Sequence, residues 1–378
     1  MIEMEIVFWA LAGLSIYSYV LFPIVLVVLL RITCRPWKKE DDEPMVSMVV
    51  SAHNEEMVIA AKIENALALD YPRAKLEIMV VSDGSTDSTE GIVRNFCSRH
   101  HRVILKGFPE RFGKTECLNR VVPEAQGDII LFTDANSMFP SDILKKLVRN
   151  FADPEVGLVT GWTRYGDVNN TENTAGVYSR FEKWTKVRES QISSCVGADG
   201  AVFATRKELY RILREDDIND FVIPLNVIRQ GKRVVIDPEV FCLEKPAEES
   251  EKEYRRQVRI TTRTLRAIGR NYQFLNPLRY GSFAFFLLSH KVLRFLTPFF
   301  LIALFAVNLF LWTTGFIYVV ALVVQIAVLL LSIGGLLRFV PGRVGNIVRM
   351  FSVTLLAQLG AWFRTFAGVS DTTWTPQR

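Results

Sequence analysis

Three short polar clusters hold most of the side chains with which this 378-residue chain could do chemistry. His53-Asn54-Glu55-Glu56, Ser82-Asp83-Gly84-Ser85 and Asp134-Ala135-Asn136 each follow an apolar run of strand length. In the third, Ile129-Ile130-Leu131-Phe132-Thr133 leads into a carboxylate, a small residue and an amide. Two oxygen donors so spaced at a strand end suit a hard divalent cation or a ribose hydroxyl. A plain turn uses the same residue types. One such cluster would be ordinary. Three at successive strand ends point to a ligand site, because ligands of open α/β sheets bind beyond the carboxyl ends of the strands.

The glycine turns of the common nucleotide folds are missing. There is no Gly-x-Gly-x-x-Gly, and Gly113-Lys114-Thr115 lacks the earlier P-loop glycine, since Phe108 stands five positions before Gly113 and Gly107 is one residue too early. Acids where those folds place glycines imply phosphates held by a metal and by basic side chains. Further along, Val196-Gly197-Ala198-Asp199-Gly200-Ala201 presents one carboxylate between glycines, a pattern shared with structural turns. In Asp216-Asp217-Ile218-Asn219-Asp220-Phe221, the last acid opens a helical pattern, where negative charge is stabilised. Asp216 and Asp217 read as a solvated loop.

The elements that must position these residues alternate. Strands are expected over 45–52, 76–81, 102–105 and 129–133, and helices over 55–69 and 114–125, with Asp87 and Glu90 as a capping box for another. That alternation predicts an α/β domain with a parallel sheet. A helix over 223–231, a stop at Gly231 and a strand over 233–238 follow. Cysteines 34, 97, 117, 195 and 242 form no C-x-x-C pair, so neither a zinc site nor a disulfide framework is expected. The net charge of +5 comes without any basic and aromatic nucleic-acid motif and fits an anionic lipid surface.

Membrane segments flank the domain. No charge falls between Glu5 and Arg31, or between Arg294 and Arg338. At about 20 residues each, these gaps hold one span and two. An acidic flank and a long apolar run favour an uncleaved anchor over a signal peptide. Basic residues after the first span place the N-terminus outside and residues from about 31 to 295 in the cytoplasm of an inner or plasma membrane protein. The apolar run between Arg349 and Arg364 is short and reads as re-entrant or interfacial, with a third C-terminal span as the alternative. Over 250–270, Tyr254, Val258, Thr261, Leu265 and Ile268 form one stripe and five arginines another, which predicts an interfacial helix. The stretch 283–296 also reads as amphipathic, with His290 interfacial. The expected divisions are an anchor (1–40), a catalytic domain (41–248), interfacial helices (249–295) and a membrane region with a cytoplasmic tail (296–378).

Ser51-Ala52-His53-Asn54-Glu55-Glu56, Ser82-Asp83-Gly84-Ser85-Thr86-Asp87, Gly113-Lys114 and Asp134-Ala135-Asn136-Ser137 together resemble the family 2 glycosyltransferases of GT-A fold, above all the membrane-embedded synthases of cellulose, chitin, hyaluronan and poly-N-acetylglucosamine. The resemblance covers residues 45 to about 270 and implies a mixed, mainly parallel sheet. It implies that Asn54, Glu55 and Asp83 hold the uracil and ribose of a UDP-sugar, with Lys114 close by. Asp134 and Asn136 take the places of the family's Asp-x-Asp motif, which binds ribose and Mg²⁺ or Mn²⁺; here the second carboxylate is an amide. Gly197 and Asp199 match an acceptor-site turn, and Asp220 the general base. Arg259 matches the arginine of Gln-x-x-Arg-Trp near the departing pyrophosphate, while Arg256 and Ile260 replace its glutamine and tryptophan. Trp374 resembles a C-terminal tryptophan at the active-site mouth. The implied activity is inverting transfer to a growing polysaccharide or a lipid-linked acceptor. Membrane lipid, and a second copy or an accessory subunit, are the expected partners. Single addition to a polyprenyl-phosphate or glycolipid is the near alternative. A non-catalytic nucleotide-sugar-binding scaffold is the distant one.

Overall fold

The computed structural model describes residues 2–166, 177–245 and 250–369, which divide into two compact units. Residues 29–245 form an α/β unit; residues 2–28 and 250–369 form a helical one.

The α/β unit is built on a seven-stranded sheet in the order β3-β2-β1-β4-β6-β5-β7. Its strands are β1 (Val46–Ala52), β2 (Leu76–Asp83), β3 (Val103–Phe108), β4 (Ile129–Asp134), β5 (Val156–Tyr165), β6 (Phe203–Arg206) and β7 (Arg233–Glu244). Only β6 runs antiparallel to its neighbours β4 and β5; the other pairs are parallel. Every residue of β1 and β2 is buried, as expected of strands covered on both faces. Each fully buried Val or Ile there contributes about 1.5–3 kcal/mol. Register fixes the rim: Ala52 lies opposite Ser82, Ser51 opposite Asp134, and Asp83 opposite Phe108.

The expected strands form, and four of them run further than the hydrophobic pattern indicated. β2 and β4 include their terminal aspartates, β3 reaches Phe108, and β7 reaches Glu244. The capping box does not form. Asp87 Oδ1 accepts from Thr89 N at 3.0 Å, whereas Glu90 pairs with Arg94 at 2.8 Å and lies over Gly107 of β3.

Among the described residues four helices are long and apolar enough to cross a membrane: Ile2–Ile32, Ser282–Leu311, Phe316–Leu336 and Val344–Phe366. The last of these replaces the short segment expected between Arg349 and Arg364, because helix continues through both arginines. His290 also departs from expectation. It is 2% exposed, in a π-helical turn of the second long helix, with its ring 6.3 Å from that of Phe22. Helix Ser250–Arg270 buries Val258, Thr261, Leu265 and Ile268 of the predicted stripe, with Tyr254 half-buried, and packs on helix Gly342–Phe366 where Gly360 leaves room for Tyr254 and Val258.

Candidate active site

The loops after β1 and β2 are stitched to each other. His53 Nδ1 lies 2.7 Å from the Asp83 carbonyl, and Asn54 Oδ1 accepts from Thr86 N at 2.8 Å. Glu55 N donates to Thr89 Oγ1 at 2.8 Å, and Glu56 exchanges bonds with Asp87 and Ser88. Asn54 adopts φ +54°, a left-handed conformation that asparagine tolerates better than most residues. Glu55 is 2% exposed, and its carbonyl accepts the first amides of helix Ile59–Leu67. The polar residues therefore hold one another in place before any ligand arrives.

Asp83 binds the third loop. Its carboxylate accepts from Phe112 N at 2.7 Å and Gly113 N at 3.0 Å, and from the Cys117 thiol at 3.4 Å. Burial, reinforced by Asp83, pushes the Cys117 thiol well above its ordinary pKa, so it stays protonated and donates. Gly84, at φ +61°, lets Glu110 and Arg111 cross directly above it; a Cβ there would lie 3.0 Å from their backbone. A small cleft opens between these parts, lined by Ser51, Ala52, Val81, Asp83, Lys114 and Cys117.

Lys114 opens the helix beyond Gly113 and reaches Asp134, with Nζ 2.6 Å from Oδ1. Asn136 is exposed, and the intervening Ala135 is fully buried. One carboxylate and one amide oxygen meet the modest protein contribution that Mg²⁺ or Mn²⁺ needs when substrate phosphates complete its shell. Among the described residues no cluster of three His, Cys, Asp or Glu exists that could cage a metal without substrate.

Sequence reading missed Lys62, which lies directly beneath this turn. Its Nζ is fully buried, donates to Thr133 Oγ1 at 3.0 Å and to the Ser137 carbonyl, and sits 3.7 Å from the Phe139 ring centroid. Burial lowers its pKa to about 7, although Cys242, Asp134 and Glu244 pull the other way. The signal was present: Ile59, Lys62, Ile63 and Ala66 share one buried helical stripe.

The other half of the rim joins a strand, a helix, a glycine turn and a helix start. Asp199 accepts from Thr163 N at 2.8 Å, Thr163 Oγ1 at 3.0 Å and Ala201 N at 3.1 Å, which fixes its carboxylate on β5. Helix Val177–Ile192 braces the same turn, through Lys186 Nζ to the Ala198 carbonyl (3.2 Å) and Glu189 Oε2 from Val196 N (3.0 Å). Asp220 lies in the first turn of helix Asn219–Arg229 and its carbonyl accepts from Ala198 N at 2.7 Å. Gly197, at φ +77°, turns the chain here, and a Cβ on Gly200 would come within 2.9 Å of Asp220 Oδ2. Glycine at 200 is the space in which that carboxylate sits.

The loop before Asp220 is not the solvated stretch expected. Asp217 is 5% exposed; its carboxylate accepts from Arg214 N at 3.0 Å and its carbonyl from Thr115 Oγ1 at 2.9 Å. It thereby ties the Asp220 loop to the residue after Lys114. Arg256 and Arg259 belong to the helical unit, on helix Ser250–Arg270, where Arg256 Nη1 lies 3.5 Å from Glu253. Trp374 lies outside the described residues.

Residues 47–211 match the family described as Glycosyl transferase family 2. Over those residues the chain resembles a family 2 glycosyltransferase domain. Among curated relatives, it is 36% identical over 116 residues to a beta-monoglucosyldiacylglycerol synthase of Synechocystis sp., covering 30% of this chain and 24% of that protein. It is 24% identical over 212 residues to a poly-beta-1,6-N-acetyl-D-glucosamine synthase of Staphylococcus aureus, covering 53% of this chain and 50% of that one. The match spans only 24–30% of the length of the first three curated relatives. The mannosyltransferase PcManGT from Pyrobaculum calidifontis, solved with GDP-Man and Mn²⁺, superposes with a TM-score of 0.75 over 96% of this chain and 99% of its own. At 23% identity, that likeness is one of fold.

Proposed function

We propose that this protein is an inverting membrane glycosyltransferase that moves a hexose from a UDP-activated donor to a hydroxyl of a lipid-linked or growing glycan acceptor. The observation that carries the reading is the Asp220 carboxylate packed into the space over Gly200, on the same sheet rim as Asp83, Lys114 and Asp134. A base and a nucleotide-binding set on one rim are what single-displacement transfer requires. The relatives' names, which include both a glycolipid synthase and a polysaccharide synthase, support the two acceptor classes.

In the proposed reaction, the cleft beside Asp83 holds the base and ribose. The acceptor hydroxyl attacks the anomeric carbon and its proton passes to Asp220, while the bond to the diphosphate breaks and its electron pair leaves with the nucleotide. An α-linked donor then yields a β-linked product. Lys114 stabilises the charge developing on the diphosphate. Asp134 and Asn136 would hold Mg²⁺ or Mn²⁺, which supplies further charge neutralisation when bound. The α/β unit is read as cytoplasmic and its helical neighbour as the membrane anchor.

Synthesis of a polymer is favoured by the match to the poly-N-acetylglucosamine synthase over half of each chain. The replacement of the Gln-x-x-Arg-Trp glutamine and tryptophan by Arg256 and Ile260 favours single addition. One assay separates them. UDP release is measured on purified protein against a panel of UDP-sugars, with diacylglycerol or short glycans as acceptor, and product length is read by mass. A single added hexose supports the glycolipid reading and a ladder supports the polymer. No release above hydrolysis with any donor would overturn the proposal.

A further inference from the structure

We infer that Arg164 and Lys183 form an anion site that receives a phosphate group, a reading that deepens the transfer proposed above by giving its acceptor a phosphate. The two cations converge on one ring. Lys183 Nζ lies 3.7 Å from the Trp162 ring centroid, and the Arg164 guanidinium carbon lies 4.7 Å from the same centroid and 3.6 Å from that of Phe241. The platform is fixed: Trp162 is 5% exposed and its indole N–H donates to the Pro238 carbonyl at 3.0 Å. Phe241 faces it across the paired strands β5 and β7.

Several cations elsewhere in this unit are answered by oxygen. Arg149 meets Asp237 and Glu239, Lys114 meets Asp134, and Arg233 donates to the carbonyls of Ser193, Arg35 and Ser190. Among the described residues Arg164 and Lys183 make no ion pair, and the buried Nε of Arg164 has no acceptor. Both are half-buried. Burial lowers the pKa of each, and for Lys183 the charge of Arg164 adds to the effect. Contact with aromatic faces returns about 0.5–2 kcal/mol per cation, and does not relieve the repulsion between two like charges. An anion shared by the two does both. Phosphate suits them because the arginine fork binds two of its oxygens at once while lysine supplies a compact charge.

The position joins this site to the proposed chemistry. Thr163, between Trp162 and Arg164, is the residue that fixes Asp199. Lys186, one helical turn after Lys183, donates to the Ala198 carbonyl of the turn that packs against Asp220. A phosphate held at the cations would anchor one end of an acceptor whose hydroxyl reaches the base. It could belong to a lipid headgroup or be free in solution.

Equilibrium binding to the purified full-length chain in detergent tests this, with dioctanoyl phosphatidylglycerol, dioctanoylglycerol and inorganic phosphate as probes. Wild type should prefer the phosphatidyl lipid to the neutral one by about tenfold or more, roughly 1.4 kcal/mol. The R164Q/K183Q double variant should lose the preference with UDP affinity unchanged, and R164K, which keeps the charge, should retain most of it. Competition by inorganic phosphate at similar concentration assigns the site to a free anion, and its failure to compete assigns it to a headgroup. Equal preference in wild type and double variant, or none in wild type, would overturn the inference. Should the double variant fold poorly, K183Q alone carries the same comparison. Sugar transfer is not read in this assay, so its outcome is independent of the proposed activity.

Discussion

At the ends of β1 and β2 the polar side chains bond to the next loop along the sheet: Asn54 to Thr86, Glu55 to Thr89, Asp83 to Phe112 and Gly113. At the end of β5 the corresponding bonds converge on one glycine turn from elements of different kinds, from Thr163 of the strand to Asp199, from Lys186 of a helix to Ala198, and from Ala198 N to the Asp220 carbonyl at a helix start. The first half is assembled from loops that follow strands of one sheet, each a short run of polar residues, so each cluster carries its partners in a short motif. The second half is a meeting of β5, a long helix, a glycine turn and a helix start. The two halves touch where Thr115 donates to the Asp217 carbonyl. The contrast predicts that damage to the first half removes nucleotide binding, while damage to the second removes transfer and leaves binding intact.

Asp83→Ala should have the largest effect on the first half. It strips the acceptor from two loop amides, each worth about 1–3 kcal/mol when left unpaired in a buried setting. UDP affinity measured by calorimetry should fall by about a hundredfold, which is 2.7 kcal/mol. Lys62→Met should change the pH dependence of stability. The folded chain holds this proton with a pKa of about 7 against 10.5 for an ordinary lysine, so between those values the unfolded state binds more protons. Stability therefore rises with pH across that window. Melting curves from pH 7 to 10 should show the rise in wild type and a flatter profile in the variant. Gly200→Ala puts a Cβ 2.9 Å from Asp220 Oδ2, and turnover should fall by about ten- to a hundredfold, or 1.4–2.7 kcal/mol, at unchanged UDP affinity. Asn136→Asp should have the smallest effect. A second carboxylate should lower the Mn²⁺ concentration needed for half-maximal activity by a few-fold, read from a metal titration.

The clusters after β1, β2 and β4 were legible because each is a local run of polar residues after an apolar strand. The helix at Ser250–Arg270 was legible because its stripe is strictly periodic. The brace on the 196–201 turn was not, since nothing in the sequence of Thr163, Lys186 or Glu189 announces that they converge there. Asp217 misled because an acidic run reads as solvated, whereas its loop is held by Arg214 N and Thr115. Helix Val344–Phe366 was underestimated because Arg349 and Arg364 broke the hydropathy window without breaking the helix.

The central claim is that one rim carries a nucleotide half and a base half that can be separated. The most direct test is Asp220→Asn, with UDP affinity and sugar transfer measured on the same preparation. Transfer should fall at least a thousandfold, about 4 kcal/mol of barrier, while UDP affinity stays within a factor of two. Undiminished transfer, or transfer and UDP binding lost together in a folded protein, would contradict the account.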